Sequence, residues 1–378
     1  MVRELRNGDR LKKKQWIMGL VVLVALVALV VWGRDRIHFD FAEFRAQLAQ
    51  ANWWMIAIGF GCIYLGYVFR SMRWAVLLRH NLKVPLLSLL GTQVIGFTAV
   101  ALIGRIADPV RPYLVAKKTG LSLSNQIAVY IVERLFDFGS MAVIFSVAML
   151  WIPDAEIVRA TSHSAIFSAW MRHSPVSPAA IARYGGLVIT LLAALFLVAV
   201  RISGGLAASF LERAFGLISK RLGRSVGHTV NTFRTGLDTI RSFSDFGVTA
   251  SLSIVMWVLI ALSYLVTMRA FVHSPQLASI TPPQCVLLMM ASGGASIFQL
   301  PILGWFTQIG IVAAALYGFF GAAWEPATAC AATLLAVTFL SIAPVGLVWA
   351  RFTHVSLRKV AEESGQAEET LAVDETVV

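Results

Sequence analysis

The chain has 378 residues, of which 58% are hydrophobic and only 14% are charged, and its mean hydropathy is +0.74. This composition excludes an ordinary soluble protein and indicates an integral membrane protein. The net charge of +12 does not indicate nucleic-acid binding, because the cations stand at the ends of apolar segments and form no continuous basic face.

The N-terminal segment, residues 1–15, is basic and precedes the apolar run Trp16–Trp32. This run is longer than the apolar part of a secretory signal, and no small-residue cleavage site follows it. We therefore predict a cytoplasmic N-terminus and a retained first span. The sequence HFDFAEFRAQLAQ that follows has apolar and charged residues at helical spacing, which predicts a helix lying along the membrane interface.

Segments that are long and apolar enough to cross the hydrocarbon predict six full spans. They are Trp16–Trp32, Asn52–Phe69, Gln126–Trp151, Gly185–Val200, Gly247–Phe271 and Ala327–Ala350. Two further apolar stretches are interrupted. Leu86–Ile103 runs into a charged segment, and Pro283–Phe320 is broken in its middle by QLPILGW.

The distribution of lysine and arginine among the loops predicts the topology. The positive-inside rule places the basic loops and both termini in the cytoplasm, which requires the chain to return to that side after Leu86–Ile103. We therefore predict an all-α polytopic membrane protein with six full spans and two oppositely oriented re-entrant helical hairpins. Such an order forms an inverted repeat, as in many transporters. An eight-span bundle is the alternative.

The third predicted span carries three charges, Glu133, Arg134 and Asp137. A charge at the bilayer centre costs roughly 2.5–3.5 kcal/mol on insertion scales. Two interpretations stay open: the charges neutralise one another and fix helix packing, or Arg134 binds an anion while the carboxylates orient it or carry protons. Tyr130 shares a helix face with Arg134, and a guanidinium suits phosphate because it donates bidentate hydrogen bonds.

Arg105, Asp108 and Arg111 recur at three-residue spacing where the first interrupted stretch returns. They form either an interfacial salt bridge or part of an anion site. Asp108 could pair with either neighbouring arginine or with Arg134. Pro109 and Pro112 favour a fresh helix start, whose free N–H groups would strengthen an anion site.

Two further sets of residues complete the candidate substrate site. Arg70 and Arg73, at the cytoplasmic end of the second span, are best explained as snorkelling anchors, with guidance of an anionic headgroup as the alternative. Gln299, Thr307 and Gln308 in the second interrupted stretch supply neutral hydrogen-bonding groups, at either a plain kink or a break that lines the substrate path.

Four segments resemble the lysylphosphatidylglycerol synthase transmembrane-region family, also called flippase-like. They are RSMRWAVLL from Arg70, ADPVRPYL from Ala107, VERLFD from Val132 and QLPILGWFTQ from Gln299. They resemble, in order, the family's R-x-x-R-W-x-x-L-L, G-E-x-x-R-P-Y-L, V-x-E-R-x-x-D and a Pro/Gly-rich break ending in Glu or Gln. Asp108 stands where the family usually has Glu, and Ala107 replaces Gly.

The resemblance implies an inner-membrane protein that moves lipids, either aminoacylated phospholipids or other lipid-linked polar groups. In some relatives this region is fused to a cytosolic aminoacyl-transferase. Here we expect a single transmembrane domain at residues 16–359 and a disordered acidic tail at residues 360–378. No catalytic nucleophile, metal or cofactor motif stands beside the carboxylates, so an enzyme is disfavoured.

The expected function is therefore a lipid translocase whose intramembrane arginines bind an anionic or zwitterionic headgroup. The partners are membrane lipids, with a separate lipid-modifying synthase as a further candidate and no nucleic acid. The alternatives are an intramembrane transferase and a non-catalytic scaffold for a lipid-modifying enzyme. The expected location is the bacterial inner membrane, with both termini cytoplasmic.

Overall fold

The computed structural model describes residues 39–80, 82–153, 242–295, 303–357 and 359–364, together with a few isolated positions. Within these ranges the chain is helical and forms no strand, which confirms the all-α prediction. The predicted span Trp16–Trp32, nearly all of Gly185–Val200, and Gln299 lie outside the described residues.

Eleven α-helices follow one another along the described ranges. They are α1 (Phe41–Gln50), α2 (Trp53–Leu78), α3 (Leu86–Ile103), α4 (Val110–Thr119), α5 (Leu123–Leu150), α6 (Phe243–Arg269), α7 (Pro275–Ala278), α8 (Pro282–Ala295), α9 (Leu303–Phe320), α10 (Trp324–Leu335) and α11 (Ile342–Phe352). A 3₁₀ turn at Arg105–Ala107 separates α3 from α4, and a π-helical segment at Ala336–Leu340 joins α10 to α11.

Four helical segments in the described ranges are long and apolar enough to cross a membrane. They are Trp53–Leu78, Leu86–Ile103, Phe243–Arg269 and the continuous Trp324–Phe352. Helix α5 has 28 residues and therefore a length of about 42 Å at 1.5 Å per residue, but it carries the three central charges. The fold is that of an integral membrane protein built from helices.

Local sequence explains where several helices begin and end. The Asn52 side chain accepts hydrogen bonds from the first N–H groups of α2, and Ser242 forms a capping box with Asp245 at the start of α6. These contacts satisfy backbone donors that have no partner within the helix. Gly104 and Gly120 end α3 and α4 with φ of 91° and 72°, a backbone conformation that residues other than glycine rarely adopt.

Each interrupted stretch is a pair of helices that pack together. The first pair is α3 with α4, and the second is α8 with α9. The two pairs also meet, because the Trp305 indole near the start of α9 donates to the carbonyl oxygen of Ala101 near the end of α3, at 3.2 Å. The end of α3 and the start of α9 therefore lie near each other.

The packing of the two halves follows one pattern. Helices α2, α3, α4 and α5 correspond in order to α6, α8, α9 and the α10–α11 segment. Under this exchange the contact between α2 and α6 corresponds to itself. The contact between α3 and α11 corresponds to the contact between α8 and α5, and the contact between α4 and α5 corresponds to that between α9 and α10. The contacts α2–α3 and α6–α8 correspond in the same way. This pattern supports the internal repeat predicted from topology.

The α3–α11 contact depends on a glycine. A Cβ atom at Gly346 would lie 2.7 Å from the Thr98 Cβ and 3.0 Å from the Val94 carbonyl oxygen. We expect Gly346→Ala to lower the free energy of unfolding by about 1–3 kcal/mol, because overpacking forces backbone shifts. Thermal unfolding of the detergent-purified protein measures this change.

The matched control is Gly310→Ala on α9, where an added Cβ would meet nothing within 4 Å. This control should be neutral or slightly stabilising, since alanine favours a helix more than glycine does. Equal unfolding temperatures for the two variants would contradict the close α3–α11 packing.

The structure describes the first residues of the segment 360–378, which was predicted to be a disordered acidic tail. Residues 359–364 are helical, and Val360 and Ser364 are buried. The Tyr113 hydroxyl of α4 donates to a Glu363 carboxylate oxygen at 2.8 Å, and this bond holds the pKa of Glu363 below its usual range. An apolar contact of Val360 and a charge-assisted hydrogen bond of Glu363 therefore attach residues 359–364 to the helices.

Candidate functional site

Six charged side chains from three helices meet in one place, which we call the charged cluster. Its members are Arg70 and Arg73 of α2, Arg111 of α4, and Glu133, Arg134 and Asp137 of α5. All are buried except Arg134, whose side chain is 29% exposed. The cluster therefore joins three helices inside the protein, and the Arg134 side chain is its one partly exposed member.

Glu133 lies at the centre of the charged cluster. Its Oε1 accepts from Arg73 Nη2 and its Oε2 from Arg111 Nη2, both at 2.6 Å. Arg70 approaches the same carboxylate at 3.4 Å. One carboxylate thus holds guanidiniums from two separate helices, and such short charge-assisted bonds are strong.

Asp137 extends the cluster one turn along α5. It accepts from Arg73 Nη1 at 2.6 Å and lies 3.1 Å from Arg134. Helix α6 reaches the same point, because the Trp257 indole donates to Asp137 at 3.3 Å and Ser253 accepts from Arg73 at 2.8 Å. The central α2–α6 pair therefore holds the cluster in position.

The charges in the cluster do not balance. Four arginines face two carboxylates, which leaves a formal surplus of two positive charges among the described residues. The carboxylate of Asp108 pairs with Arg105 instead, at 3.7 Å. Buried charges without compensation are costly. A self-neutralising set would not have this surplus, whereas an anion would compensate it.

Several buried N–H groups of the cluster have no hydrogen-bond partner among the described residues. They are Arg73 Nε, Arg111 Nη1, the amide nitrogen of Gln93, and Arg134 Nε and Nη2. Arg134 Nη2 forms only ion pairs with the α5 carboxylates, and Asp137 Oδ2 also has no hydrogen bond in the described ranges. The Gln93 oxygen accepts from Arg111 Nε at 3.0 Å, which positions its amide nitrogen in the cluster. Unsatisfied buried donors are rare, and anionic oxygen atoms are the acceptors that these would bind best.

Aromatic rings surround Arg111. Its guanidinium carbon lies 4.3 Å from the centre of the Phe97 ring, and 5.3 and 5.4 Å from the Tyr130 and Trp74 rings. These distances are typical of cation–π contacts. Gly96 permits the approach, since a Cβ there would lie 3.3 Å from the Arg111 Cα. The guanidinium is therefore fixed in orientation and shielded from lipid tails.

The snorkelling interpretation of Arg70 and Arg73 is wrong. Their exposed fractions are 9% and 0%, and both bind the α5 carboxylates. Snorkelling requires the charged end to reach water or headgroups, and these guanidiniums instead find their counter-charges inside the protein.

The remaining candidates lie outside the charged cluster. Arg105 is exposed and pairs with Asp108 at the 3₁₀ turn, so Asp108 pairs with neither Arg111 nor Arg134. Thr307 is exposed on α9. Gln308 is buried and donates to Ser292 of α8 at 3.2 Å. Tyr130 lies at the edge of the cluster, with Arg134 5.1 Å above its ring.

Sequence reasoning missed four contributors to the site. Gln93 and Phe97 lie one turn apart on α3, and Ser253 and Trp257 lie one turn apart on α6. The lone amide of Gln93 within an apolar run was the one local signal. Serine and tryptophan occur so often in spans that neither indicates a site by itself.

The lysylphosphatidylglycerol synthase transmembrane-region family model matches residues 16–361, a range that includes every member of the charged cluster. No match was found among curated proteins or among solved structures. Since the match covers most of the chain, the protein belongs to the lysylphosphatidylglycerol synthase transmembrane-region family, a membrane-protein family tied to lipid modification.

Proposed function

We propose that the protein is a lipid translocase, and that its charged cluster binds the anionic group of a phospholipid or lipid-linked headgroup. The surplus of positive charge carries this proposal, since three buried arginines and the partly exposed Arg134 face only two carboxylates. A membrane interior tolerates such a surplus only where a ligand or water compensates it. A phosphate group supplies both the charge and the acceptor atoms.

The cluster contains the donors that a phosphate group needs. Arg73, Arg111 and Gln93 have N–H groups with no protein partner in the described ranges. Glu133 and Asp137 act as positioning residues, because they hold the guanidinium planes of separate helices in one orientation. Preorganised donors of this kind bind an anion with little reorganisation.

Arg134 is the point of entry in this proposal. Its side chain is partly exposed, while its guanidinium remains within 3.1 Å of Asp137. A headgroup that approaches from the surface would meet Arg134 first, and the acyl tails would stay in lipid. The exposed Arg105 and Thr307 and the partly buried Asp108 would line the outer path as polar groups.

The proposed route uses the internal repeat. The two helix pairs act as re-entrant hairpins of opposite orientation, in a bacterial inner membrane with cytoplasmic termini. The end of α3 and the start of α9 lie close together at the Trp305–Ala101 contact. Small movements of one half against the other would expose the headgroup to each side in turn, as in other repeat-built transporters.

A proteoliposome assay with fluorescently labelled phosphatidylglycerol tests the proposal. We expect the wild-type protein to accelerate lipid crossing and Arg134→Met to slow it by about tenfold or more. The reason is that a lost charge-assisted contact of about 1.5–3 kcal/mol corresponds to at least that factor. Arg351→Met, at the exposed end of α11, is the matched control and should retain the wild-type rate.

Two results would count against the proposal. One is wild-type protein that moves labelled lipid no faster than empty liposomes do. The other is an Arg134→Met rate equal to that of the Arg351→Met control.

A further inference from the structure

A second buried polar cluster lies in the other half of the protein and contains no charged residue. We call it the neutral cluster, and its members are Tyr264, Ser292, Gln308 and Thr338. Ser292 Oγ is 2.8 Å from the Tyr264 hydroxyl and accepts from Gln308 Nε2 at 3.2 Å. Thr338 lies beside the Tyr264 hydroxyl, and its own hydroxyl donates to the Leu334 carbonyl oxygen. Tyr264, Ser292 and Gln308 are 6%, 2% and 7% exposed.

The neutral cluster occupies the elements that correspond to those of the charged cluster. Arg70, Gln93 and Arg111 lie on α2, α3 and α4. Tyr264 lies on α6, the counterpart of α2. Ser292 and Gln308 lie on α8 and α9, the counterparts of α3 and α4. The exchange that relates the two halves therefore relates the two clusters as well.

The two clusters differ in their unsatisfied atoms. In the charged cluster these are mostly N–H donors, on Arg73, Arg111, Arg134 and Gln93, with one acceptor, Asp137 Oδ2, whereas the unsatisfied atom of the neutral cluster is an acceptor, Gln308 Oε1. This oxygen is buried and has no partner among the described residues. A buried carbonyl oxygen without a partner is unfavourable, and an O–H or N–H donor from a ligand would satisfy it.

The two clusters approach each other where α5 packs against α8. Met141 lies one turn beyond Asp137 on α5, and its Cε would be 3.2 Å from a Cβ at Gly293. Gly293 follows Ser292 directly on α8. A single turn of α5 (about 6 Å along its axis) therefore separates the charged cluster from the helix that carries Ser292.

We propose that the neutral cluster is a second subsite for the same headgroup and binds its free hydroxyl group. This inference rests on the proposed function, in which the arginines bind the phosphate. The substrate class is then a phosphodiester lipid with a hydroxyl a few bonds beyond the phosphate. An ammonium group fits less well, because the neutral cluster offers it no carboxylate after it loses its water.

The test compares two lipids that carry the same charge. Phosphatidylglycerol has free headgroup hydroxyls and phosphatidylmethanol has none. Native mass spectrometry of the detergent-purified full chain gives the affinity for each. We expect wild-type protein to prefer phosphatidylglycerol by about tenfold, as one buried hydrogen bond would give, and Gln308→Met to remove this preference while leaving phosphatidylmethanol affinity unchanged.

A second variant and a control keep the result interpretable. Tyr264→Phe deletes one hydroxyl of the neutral cluster, keeps the ring and should also reduce the preference. Thr333→Val deletes a buried hydroxyl that bonds the Ala329 carbonyl of its own helix, and it should leave the preference intact.

The outcomes separate this proposal from the proposed function. The hydroxyl subsite is overturned if the wild-type protein binds the two lipids with equal affinity. It is also overturned if Gln308→Met lowers the affinity for both lipids equally. A preference for phosphatidylethanolamine that depends on Gln308 overturns it too, because the subsite would then bind an ammonium. If the hydroxyl preference is found but proteoliposomes show no lipid crossing, the hydroxyl subsite is supported and the proposed translocase function is contradicted. If neither anionic lipid binds, both proposals fall.

Discussion

Glu133→Gln is expected to lower the free energy of unfolding by about 3–5 kcal/mol, as breaking a buried ion pair typically does. Glutamine has the size of glutamate and keeps one carbonyl oxygen, so the packing of α5 hardly changes. The charge is what is lost. Arg73 and Arg111 each lie 2.6 Å from this carboxylate. Asp137 would then be the one carboxylate of the cluster left to compensate four arginines.

The measurement is thermal or denaturant unfolding of the purified protein, followed by intrinsic tryptophan fluorescence. The matched control is Glu325→Gln at the start of α10, where the carboxylate is partly exposed and accepts one backbone hydrogen bond at 3.4 Å. This control should change stability by less than about 1 kcal/mol. A Glu133 variant as stable as the control would show that water already neutralises the cluster.

The limits of the apolar helices were largely predictable. Leu86–Ile103 is both the predicted apolar stretch and helix α3. Hydrocarbon thickness and backbone hydrogen bonding constrain such segments strongly, so a local window of sequence suffices to find them.

Helix α2 shows where this local reasoning fails. Its span was predicted to end at Phe69, before two arginines, but the helix continues to Leu78. The guanidiniums of Arg70 and Arg73 do not stop the helix inside the protein, because their counter-charges Glu133 and Asp137 come from α5. Residues that pair across more than sixty positions of sequence cannot be recognised as partners within a window of twenty residues.

The neutral cluster was still harder to predict. Its members are single polar residues on three helices and a π-helical segment, and each has an ordinary role in a span when taken alone. Gln308 was a candidate because it ends the segment QLPILGWFTQ, and Ser292 stands before two glycines in the same apolar stretch, but Tyr264 had no local signal. Only the packing of α6 with α8, and of α8 with α9, brings them together.

The double variant Arg111→Met/Glu133→Gln separates the stabilising role of the cluster from its proposed binding role. It removes one positive and one negative charge, so the surplus of two positive charges stays the same. Replacing a buried ion pair by groups of similar size is often neutral. We therefore expect the double variant to recover more than half of the stability lost in Glu133→Gln, since contacting residues are strongly coupled.

Lipid crossing should not recover with stability in the double variant. Arg111 supplies one of the unpaired N–H groups and is held by Phe97, Trp74 and Tyr130 in the orientation that an anion would meet. Methionine fills the same space but donates nothing, so the rate in proteoliposomes should stay about tenfold or more below wild type. If crossing returns in step with stability, the arginines only hold the helices together, and the phosphate must bind elsewhere.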